Sequence, residues 1–271
     1  MILANHGILS SSGASVDADA LAFMTAASIT DNTQKTAINT LVTDLKTYNI
    51  WTKMKALYPF VGGSASSHKW NLKDPRDLDA AYRLVFSGGW THSSTGALPN
   101  GTTAYADTKL NQNTVLQANN EHFAVYLRTN SLGTTVDGGL WNGTYGTQIF
   151  SRANVPVLSA NDIFLAYGQQ AAVVYSYVTN TDSKGFYMVN RVSSSDVKII
   201  KNSSINNFSI AGAGKAELNF LLAARNNMGT ADLFSNREQA FSSIGDSLTD
   251  TETSNLYTAI QNFNTTLSRN V

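Results

Sequence analysis

The chain has 271 residues, of which 42% are hydrophobic, so it is long enough to bury a substantial core. Only 14% of the residues are charged, and the 19 basic residues balance the 19 acidic ones. A net charge of zero argues against steering towards nucleic acid or an anionic membrane, and the lack of cysteine excludes disulfides and thiolate chemistry.

The amino terminus shows no targeting signal. Residues 1–20, MILANHGILSSSGASVDADA, contain neither a basic residue nor a long apolar run, so they fit neither a secretory signal peptide nor a membrane anchor. No window of the sequence approaches the roughly 20 apolar residues that span a bilayer. We expect residues 1–16 to be an extended leader at the start of a complete gene, and any release from a cell to occur by lysis.

Helical spacing is found near both ends of the chain. Asp17 and Asp31 each precede a stretch with apolar residues on one helical face. The two stripes comprise Ala20, Phe23, Met24 and Ala27, and Ile38, Leu41, Val42 and Leu45. A third, short helical piece is predicted over residues 50–57, and a last helix follows the capping box of Thr249 and Glu252.

After residue 70 the sequence alternates between short apolar runs and turn-rich loops such as LPNGTT, VDGGLWNGTYG and ARNNMGT. Strands are predicted at residues 78–86, 122–127, 162–167, 171–178, 186–192, 197–200, 208–210 and 218–223. Many short strands without intervening helices favour an antiparallel jelly-roll sandwich over parallel βαβ units. We therefore divide the chain into a helical amino-terminal segment, residues 1–60, and a β-sandwich with a terminal helix, residues 61–271.

No residue pattern indicates catalysis, a metal centre or a cofactor. The four glutamates include no pair two residues apart, which would place two carboxylates on one strand face for glycan hydrolysis. A pair formed across strands stays open. The histidines, which show no metal-ligand spacing, are His6, His68, His92 and His122. The acid pairs Asp17/Asp19 and Asp77/Asp79 offer fewer oxygens than a calcium loop.

The loop DGGLWNGTY, residues 137–145, is the best candidate for a ligand-binding surface. Sugar sites combine an aromatic face for stacking with amide or carboxylate groups for the hydroxyls. Asp137, Trp141, Asn142 and Tyr145 supply these side-chain types, so we predict that they bind a glycan. The alternative is that Trp141 plugs one end of the sandwich. The predicted core anchors are the other tryptophans, Trp51, Trp70 and Trp90.

Two segments resemble a family of virion proteins encoded by tailed bacteriophages, including crAss-like phages. They are residues 51–108, WTKMKALYPFVGGSASSHKWNLKDPRDLDAAYRLVFSGGWTHSSTGALPNGTTAYADT, and residues 233–271, LFSNREQAFSSIGDSLTDTETSNLYTAIQNFNTTLSRNV. The resemblance extends from about Asp17 to Val271, although residues 111–230 match mainly in their general pattern of short apolar runs and turn-rich loops. In this family a short helical segment precedes a concanavalin A-like or laminin-G-like jelly roll.

The resemblance implies a particle component, such as a tail or head fibre or a decoration subunit, that docks through its amino-terminal segment onto other virion proteins. It also implies a homo-oligomer, a trimer in the case of a fibre, and assembly in the bacterial host cytoplasm. It supplies no binding residues, and the calcium site of laminin-G relatives cannot be placed on this sequence. On this interpretation residues 1–57 attach the subunit and can be deleted without unfolding the β domain.

Two other functions stay open. The first is a carbohydrate-binding adhesin whose 137–145 loop contacts host surface glycans. The second is a polysaccharide-degrading enzyme. Nucleic acid and membranes are not among the expected partners.

Overall fold

The computed structural model describes residues 16–158 and 160–271, which fold into two facing β-sheets with helices near both ends of the sequence. The predicted fold class, a mainly β jelly-roll sandwich with an amino-terminal helical segment and a carboxy-terminal helix, is confirmed. The predicted leader, residues 1–16, lies outside the described residues apart from Val16.

Two sheets contain all the strands of the described residues. In chain order the strands are β1 (Met54–Tyr58), β2 (Val85–Ser87), β3 (Trp90–Ser93), β4 (Gly96–Pro99), β5 (Tyr105–Asn111), β6 (Glu121–Leu127), β7 (Gly138–Trp141), β8 (Tyr145–Val155), β9 (Ala160–Ala171), β10 (Ser176–Thr179), β11 (Gly185–Arg191), β12 (Asp196–Lys201), β13 (Ser204–Ser209), β14 (Asn219–Leu222), β15 (Arg225–Asn227), β16 (Thr230–Asp232) and β17 (Gln239–Gly245). The first sheet has the order β13, β12, β11, β6, β17, β4, β3, with β1 also paired to β17. The second sheet has the order β10, β9, β8, β7, β14, β5, β2. The hairpin of β15 and β16 joins the second sheet through a parallel pairing of β15 with β7.

Two of the helices, which follow Asp31 and Thr249, begin at the predicted caps. The helices are α1 (Ala18–Ala26), α2 (Asn32–Thr47), α5 (Asp250–Thr266) and the single turns α3 (Ala65–His68) and α4 (Gln112–Val115). The Asp17 carboxylate accepts a hydrogen bond from the backbone N–H of Asp19, and the Asp31 carboxylate accepts one at the start of α2. Thr249 and Glu252 form both bonds of the predicted capping box. Each cap satisfies a backbone donor that the first helical turn leaves unpaired.

The inner faces of both sheets form the central hydrophobic core. Phe123, Val125 and Val189 of the first sheet pack there with Ile149 and Phe164 of the second. A second cluster covers the opposite face of the first sheet. It is formed by apolar residues of α1, α2 and α5 together with sheet residues such as Tyr126, Phe186, Met188 and Phe241. The molecule therefore has three layers: helices, first sheet and second sheet.

Several predicted elements differ from the structure. Residues 50–57 form a 3-10 turn, Trp51–Lys53, and then β1, because the backbone of β1 pairs with β17 instead of forming helical hydrogen bonds. Residues 78–86 contain a 3-10 turn and only the short strand β2. Residues 172–175 form a loop that interrupts the predicted strand over 171–178.

The division into two segments at residue 60 stays a prediction. Strand β1 lies before that boundary and within the first sheet, and α1 and α2 share one hydrophobic cluster with α5. None of the helices in residues 16–158 and 160–271 combines the length and the apolarity that a bilayer crossing requires.

Candidate functional site

A row of residues crosses five strands on one face of the second sheet. Strand register places Asp232, Arg225, Gly139, Gln148 and Tyr167 side by side, on β16, β15, β7, β8 and β9 in that order. Residues paired in this way send their side chains to the same face of a sheet. The row is therefore assembled from three distant parts of the sequence.

This row lies on the outer face of the sandwich. The neighbouring residues Leu140, Ile149 and Ala166 belong to the core between the sheets. Since successive side chains of a strand point to opposite faces, the row points away from that core. Phe150 and Tyr167 form a separate hydrophobic cluster on the outer face, to which no α-helix of the described residues contributes.

Gly139 keeps the middle of the row clear of side chains. Its φ is +141°, and a Cβ there would lie 2.3 Å from the carbonyl oxygen of Thr147 and 2.6 Å from the Cβ of Gln148, so only glycine fits. Neighbouring strands are about 4.8 Å apart, which puts the backbones of Arg225 and Gln148 about 10 Å apart on either side of Gly139. The side chains of Arg225 and Gln148 thus lie on either side of a residue that has no side chain.

Aromatic rings surround Tyr167, the last residue of the row. The ring centroid of Tyr167 lies 6.2 Å from that of Trp141, 6.4 Å from that of Phe150 and 6.2 Å from that of Tyr175. An open pocket beside these rings has a volume of about 320 Å³. We call it the outer-face pocket; it is lined by Trp141, Gly143, Gln148, Phe150, Tyr167, Ala172 and Arg225.

One residue that lines the outer-face pocket, Gln148, has a buried acceptor without a partner. Gln148 is only 3% exposed, and its Oε1 makes no hydrogen bond within the described part of the chain. A buried amide oxygen left unpaired costs about 1–3 kcal/mol, so the position calls for an explanation. Burial raises the pKa of Tyr167 well above its ordinary value, so its hydroxyl stays protonated and can donate.

The one charged side chain among these lining residues is already paired. Arg225 donates through Nε and Nη2 to the two carboxylate oxygens of Asp232, at 2.8 and 2.6 Å. Asn227 donates to the same carboxylate at 2.9 Å, while its own Oδ1 is buried and unpaired among the residues described. The polar edge of the pocket therefore carries no net charge.

Of the four predicted site residues, Trp141 lines the outer-face pocket. It is 9% exposed and lies on the outer face of β7, not at the end of the core between the sheets. A Cβ at residue 146 would lie 3.0 Å from the Trp141 ring, so Gly146 makes room for the indole. Glycan contact by Trp141 stays a prediction.

Asp137 is placed away from the pocket and is fully buried. Its carboxylate pairs with Arg237, also fully buried, at 3.0 Å, and accepts hydrogen bonds from the Ser235 hydroxyl at 2.8 Å and the Ser151 N–H at 2.9 Å. Removing either partner of the Asp137–Arg237 pair would leave a buried charge without its counter-charge, which is strongly destabilising. We therefore assign Asp137 to the core and not to the site.

Asn142 and Tyr145 belong to the turn between β7 and β8. The Asn142 side chain accepts hydrogen bonds from the N–H groups of Thr144 and Tyr145, both at 3.0 Å, which holds the turn. Trp141 pairs in register with Gly146, so Tyr145 lies one residue out of step and points to the opposite face. On that face the Tyr145 ring packs against Gly214: a Cβ added at Gly214 would lie 3.1 Å from the Cζ atom of Tyr145.

Sequence reasoning missed Gln148, Tyr167 and Arg225. One signal was present for the last of these: Arg225 and Asp232 carry opposite charges on either side of the turn formers NNMGT, the pattern of a cross-strand ion pair in a hairpin. Gln148 and Tyr167 gave no such signal, because their neighbourhood depends on the pairing of β7 with β8 and of β8 with β9.

The histidines show one contact that their sequence spacing did not suggest. The Nδ1 atoms of His68 and His92 lie 2.9 Å apart, so one ring donates a hydrogen bond to the other. Burial, followed by the proximity of His92 and Arg269, lowers the pKa of His68 to about 3. Among the described residues, no three His, Cys, Asp or Glu side chains converge as a metal site would require.

The glutamates are engaged separately. Glu121 is buried with Gln112 and Thr147, Glu217 accepts from Asn113, Glu238 pairs with Arg128, and Glu252 pairs with Lys53. Burial raises the pKa of Glu121, partly offset by its hydrogen bonds. Each carboxylate thus has a structural partner of its own.

A larger groove, of about 660 Å³, lies between α1 and α2. Its walls are mostly aliphatic and hydroxyl-bearing, and Lys35 is the charged residue among them. Val16 and Leu21 are about half exposed at its edge. Within residues 16–158 and 160–271, the lining of this helical groove includes no aromatic ring, whereas the outer-face pocket has three.

No protein-family model matches the chain, and no curated protein matches its sequence. Solved structures with a similar fold include domain 4 of AbnA, an arabinanase from Geobacillus stearothermophilus, in complex with arabinotriose, at 12% identity and a TM-score of 0.42 over 75% of this chain and 98% of that one. The binding domain of botulinum neurotoxin serotype D has 9% identity and a TM-score of 0.46 over 78% of this chain and 51% of that one. A mutant sialidase from Trypanosoma rangeli has 10% identity and a TM-score of 0.46 over 82% of this chain and 39% of that one. The chain thus spans about half of the neurotoxin domain and less of the sialidase, and the likeness concerns the fold alone.

Proposed function

We propose that this protein is a carbohydrate-binding protein, and that it binds a glycan in the outer-face pocket. The observation that carries the proposal is the pair of aromatic rings, Trp141 and Tyr167, beside the polar side chain of Gln148, whose buried Oε1 is unpaired among the described residues. This pocket lies on the sheet face to which no α-helix of the described residues contributes.

The chemistry of the pocket matches that of a sugar ring. A sugar presents apolar C–H patches, which pack against aromatic faces, and hydroxyl groups, which both donate and accept hydrogen bonds. Gln148 supplies an acceptor, and Tyr167 and Arg225 supply donors, all within one row. A hydroxyl that donates to Gln148 Oε1 would satisfy the group that the protein leaves unpaired.

The function we propose is binding without turnover. The glutamates are held by separate structural partners, and Asp232 is held by Arg225 and Asn227. A glycosidase would need two carboxyl groups about 5 Å or about 6.5–9.5 Å apart around the scissile bond. Among the residues that the structure describes, none that lines the outer-face pocket carries a carboxylate.

The variant Gln148→Leu tests the proposal. Losing one hydrogen bond to the sugar should weaken glycan binding by roughly three- to tenfold. The same change removes a buried unpaired oxygen, so the free energy of unfolding should stay equal or rise by up to about 1 kcal/mol. Binding is measured by calorimetry with oligosaccharides selected on a glycan array, and stability by urea denaturation.

Gln112→Leu is the matched control. Gln112 is also a buried glutamine, but its side chain bonds to Glu121, Thr147 and the N–H of Ala216 between the sheets. This control should lose stability and keep its glycan affinity. Equal affinities for the wild type and Gln148→Leu, or no binding to any oligosaccharide on the array, would refute the proposed function.

A second proposal concerns where the protein acts. The resemblance to phage virion proteins suggests a fibre or decoration subunit that docks on the tail or capsid through its amino-terminal segment. The helical groove between α1 and α2 favours this proposal, because Leu21 exposes 54% of its surface there beside Met24 and Ile29. Exposed apolar side chains along a groove are typical of protein contact sites.

Leu21→Lys tests this docking. A charge in the apolar groove should strongly reduce incorporation of the subunit into particles, measured by the protein composition of purified virions from a host that expresses the variant. Leu78→Lys is the control, since Leu78 is exposed to a similar extent, 51%, but does not line the groove. Normal incorporation of Leu21→Lys would contradict attachment through this surface.

A further inference from the structure

The ion pair at the edge of the outer-face pocket restricts the kind of sugar that can enter. Arg225 and Asp232 are register partners across the hairpin of β15 and β16, so the pair is fixed by the backbone. The guanidinium binds the carboxylate through two parallel hydrogen bonds of 2.8 and 2.6 Å. This is the arrangement in which arginine also recognises a carboxylate ligand.

The pairing has two consequences for a ligand with its own carboxylate. First, the edge of the guanidinium formed by Nε and Nη2 is occupied, so bidentate recognition of a second carboxylate is blocked. Second, a carboxylate ligand that approached Arg225 would meet the negative charge of Asp232, which Asn227 also holds in place at 2.9 Å. Two like charges at such short range repel each other, and more strongly near a protein surface than in bulk water.

A neutral hydroxyl group meets neither obstacle. Nη1 of Arg225 makes no hydrogen bond to the protein among the residues described, and it can donate to a hydroxyl oxygen. On the other side of Gly139, the amide of Gln148 lines the pocket. A ring in the pocket would thus meet the Arg225 donor at one edge and the Gln148 amide at the other.

We infer that the outer-face pocket takes an uncharged sugar ring and that the Arg225–Asp232 ion pair excludes carboxylated sugars such as uronic acids and sialic acids. This inference rests on the proposed function and deepens it by naming the substrate class. Asp232 acts here as a specificity-determining residue, because its carboxylate already pairs with the Arg225 guanidinium, which would otherwise attract an acidic ligand.

The experiment compares matched sugars on the full-length protein. The probes are oligogalactosides and oligomannosides, each paired with its uronate counterpart, and sialylated oligosaccharides. We expect the wild type to bind a neutral member at least about tenfold more tightly than its carboxylated counterpart. In Asp232→Asn the cation of Arg225 is no longer neutralised, so this ratio should fall by at least about tenfold.

Asp107→Asn is the control. Asp107 also lies on the second sheet and also pairs with a cation, Lys109, at 3.0 Å, but it is on β5 and does not line the pocket. The Asp107→Asn variant should prefer neutral sugars to the same degree as the wild type. The wild-type ratio alone tests the inference, so the test does not depend on the folding of any variant.

The outcomes separate this inference from the proposed function. If the wild type binds neutral and carboxylated sugars equally, or if Asp232→Asn keeps the wild-type ratio, the charge exclusion is refuted while glycan binding stands. If neither class of sugar binds, the proposed function fails, and the inference fails with it.

Discussion

Buried histidines make the stability of this protein depend on pH. His122 is fully buried; its Nδ1 donates to the carbonyl oxygen of Asp246 at 2.7 Å, and its Nε2 lies 3.2 Å from the Ser243 hydroxyl. Burial lowers the pKa of His122 to about 4 and that of His68 to about 3, from an ordinary value of 6.5. Both imidazoles are therefore neutral in the folded protein at pH 5.

We predict that the protein loses stability between pH 6.5 and pH 4. The unfolded chain takes up a proton at each histidine below its ordinary pKa of 6.5, whereas the folded chain does so only near pH 4 for His122 and pH 3 for His68. The unfolded state is thus favoured as the pH falls, by on the order of 2 kcal/mol per histidine at pH 5. Urea denaturation at pH 7 and pH 5 measures the difference.

His122→Asn isolates one of these two contributions. The amide of asparagine can replace the Nδ1–H donor to Asp246 but does not titrate, so the pH dependence should become shallower than that of the wild type. Burial raises the pKa of Glu121, so protonation of Glu121 favours the folded protein as the pH falls, opposite to the effect of the histidines. This contribution is present in both the wild type and the variant, so it cancels when their pH dependences are compared. Parallel pH dependences would show that His122 does not titrate as described.

At the level of elements, the helices α1, α2 and α5 could be predicted and many strands could not. A helix start is encoded locally: the side chains of Asp31 and Thr249 bond to the backbone three residues on, and the apolar stripe follows. The strand β17 lacks a local pattern, because Gln239, Ser242 and Ser243 are fully buried within it. These polar side chains find partners only in the folded sheet, so apolar alternation is absent from the sequence.

The packing of the amino-terminal elements changes the expectation for a deletion. Sequence reasoning suggested that residues 1–57 could be removed without unfolding the β domain. The structure places most of β1 in this stretch, and α1 and α2 cover Phe241 of the first sheet and Ile260 of α5 within one cluster. Removing them would expose that cluster, so the point variant Leu21→Lys is a cleaner test of docking than a truncation.

The outer faces of the two sheets differ, and the candidate site lies on the outer face of the second sheet. Helices from both ends of the sequence cover the outer face of the first sheet, whereas the aromatic cluster on the outer face of the second sheet receives no helix from the described residues. Exposed apolar residues flank the pocket on this face: Val173 follows the lining residue Ala172 and is 81% exposed, and Met228 contacts Gly143 and is 64% exposed. Such a surface is typical of a binding face.

Sequence reasoning identified one residue of the pocket, Trp141, but not the pocket itself. Counting along the chain grouped Trp141 with Tyr145, although the register of the hairpin sends these two rings to opposite faces. The actual neighbours of Trp141 come from β9 and β15, and that proximity depends on the order of strands in the sheet. Strand order is a property of the whole fold, so no local pattern could supply it.

The most direct test of the central claim is a crystal structure of the protein soaked with the neutral oligosaccharide that binds most tightly on a glycan array. We predict a sugar ring in the outer-face pocket, with one hydroxyl bonded to the Gln148 amide and a C–H face against Trp141 or Tyr167. A sugar bound elsewhere, such as in the helical groove between α1 and α2, with the outer-face pocket empty, would contradict the account.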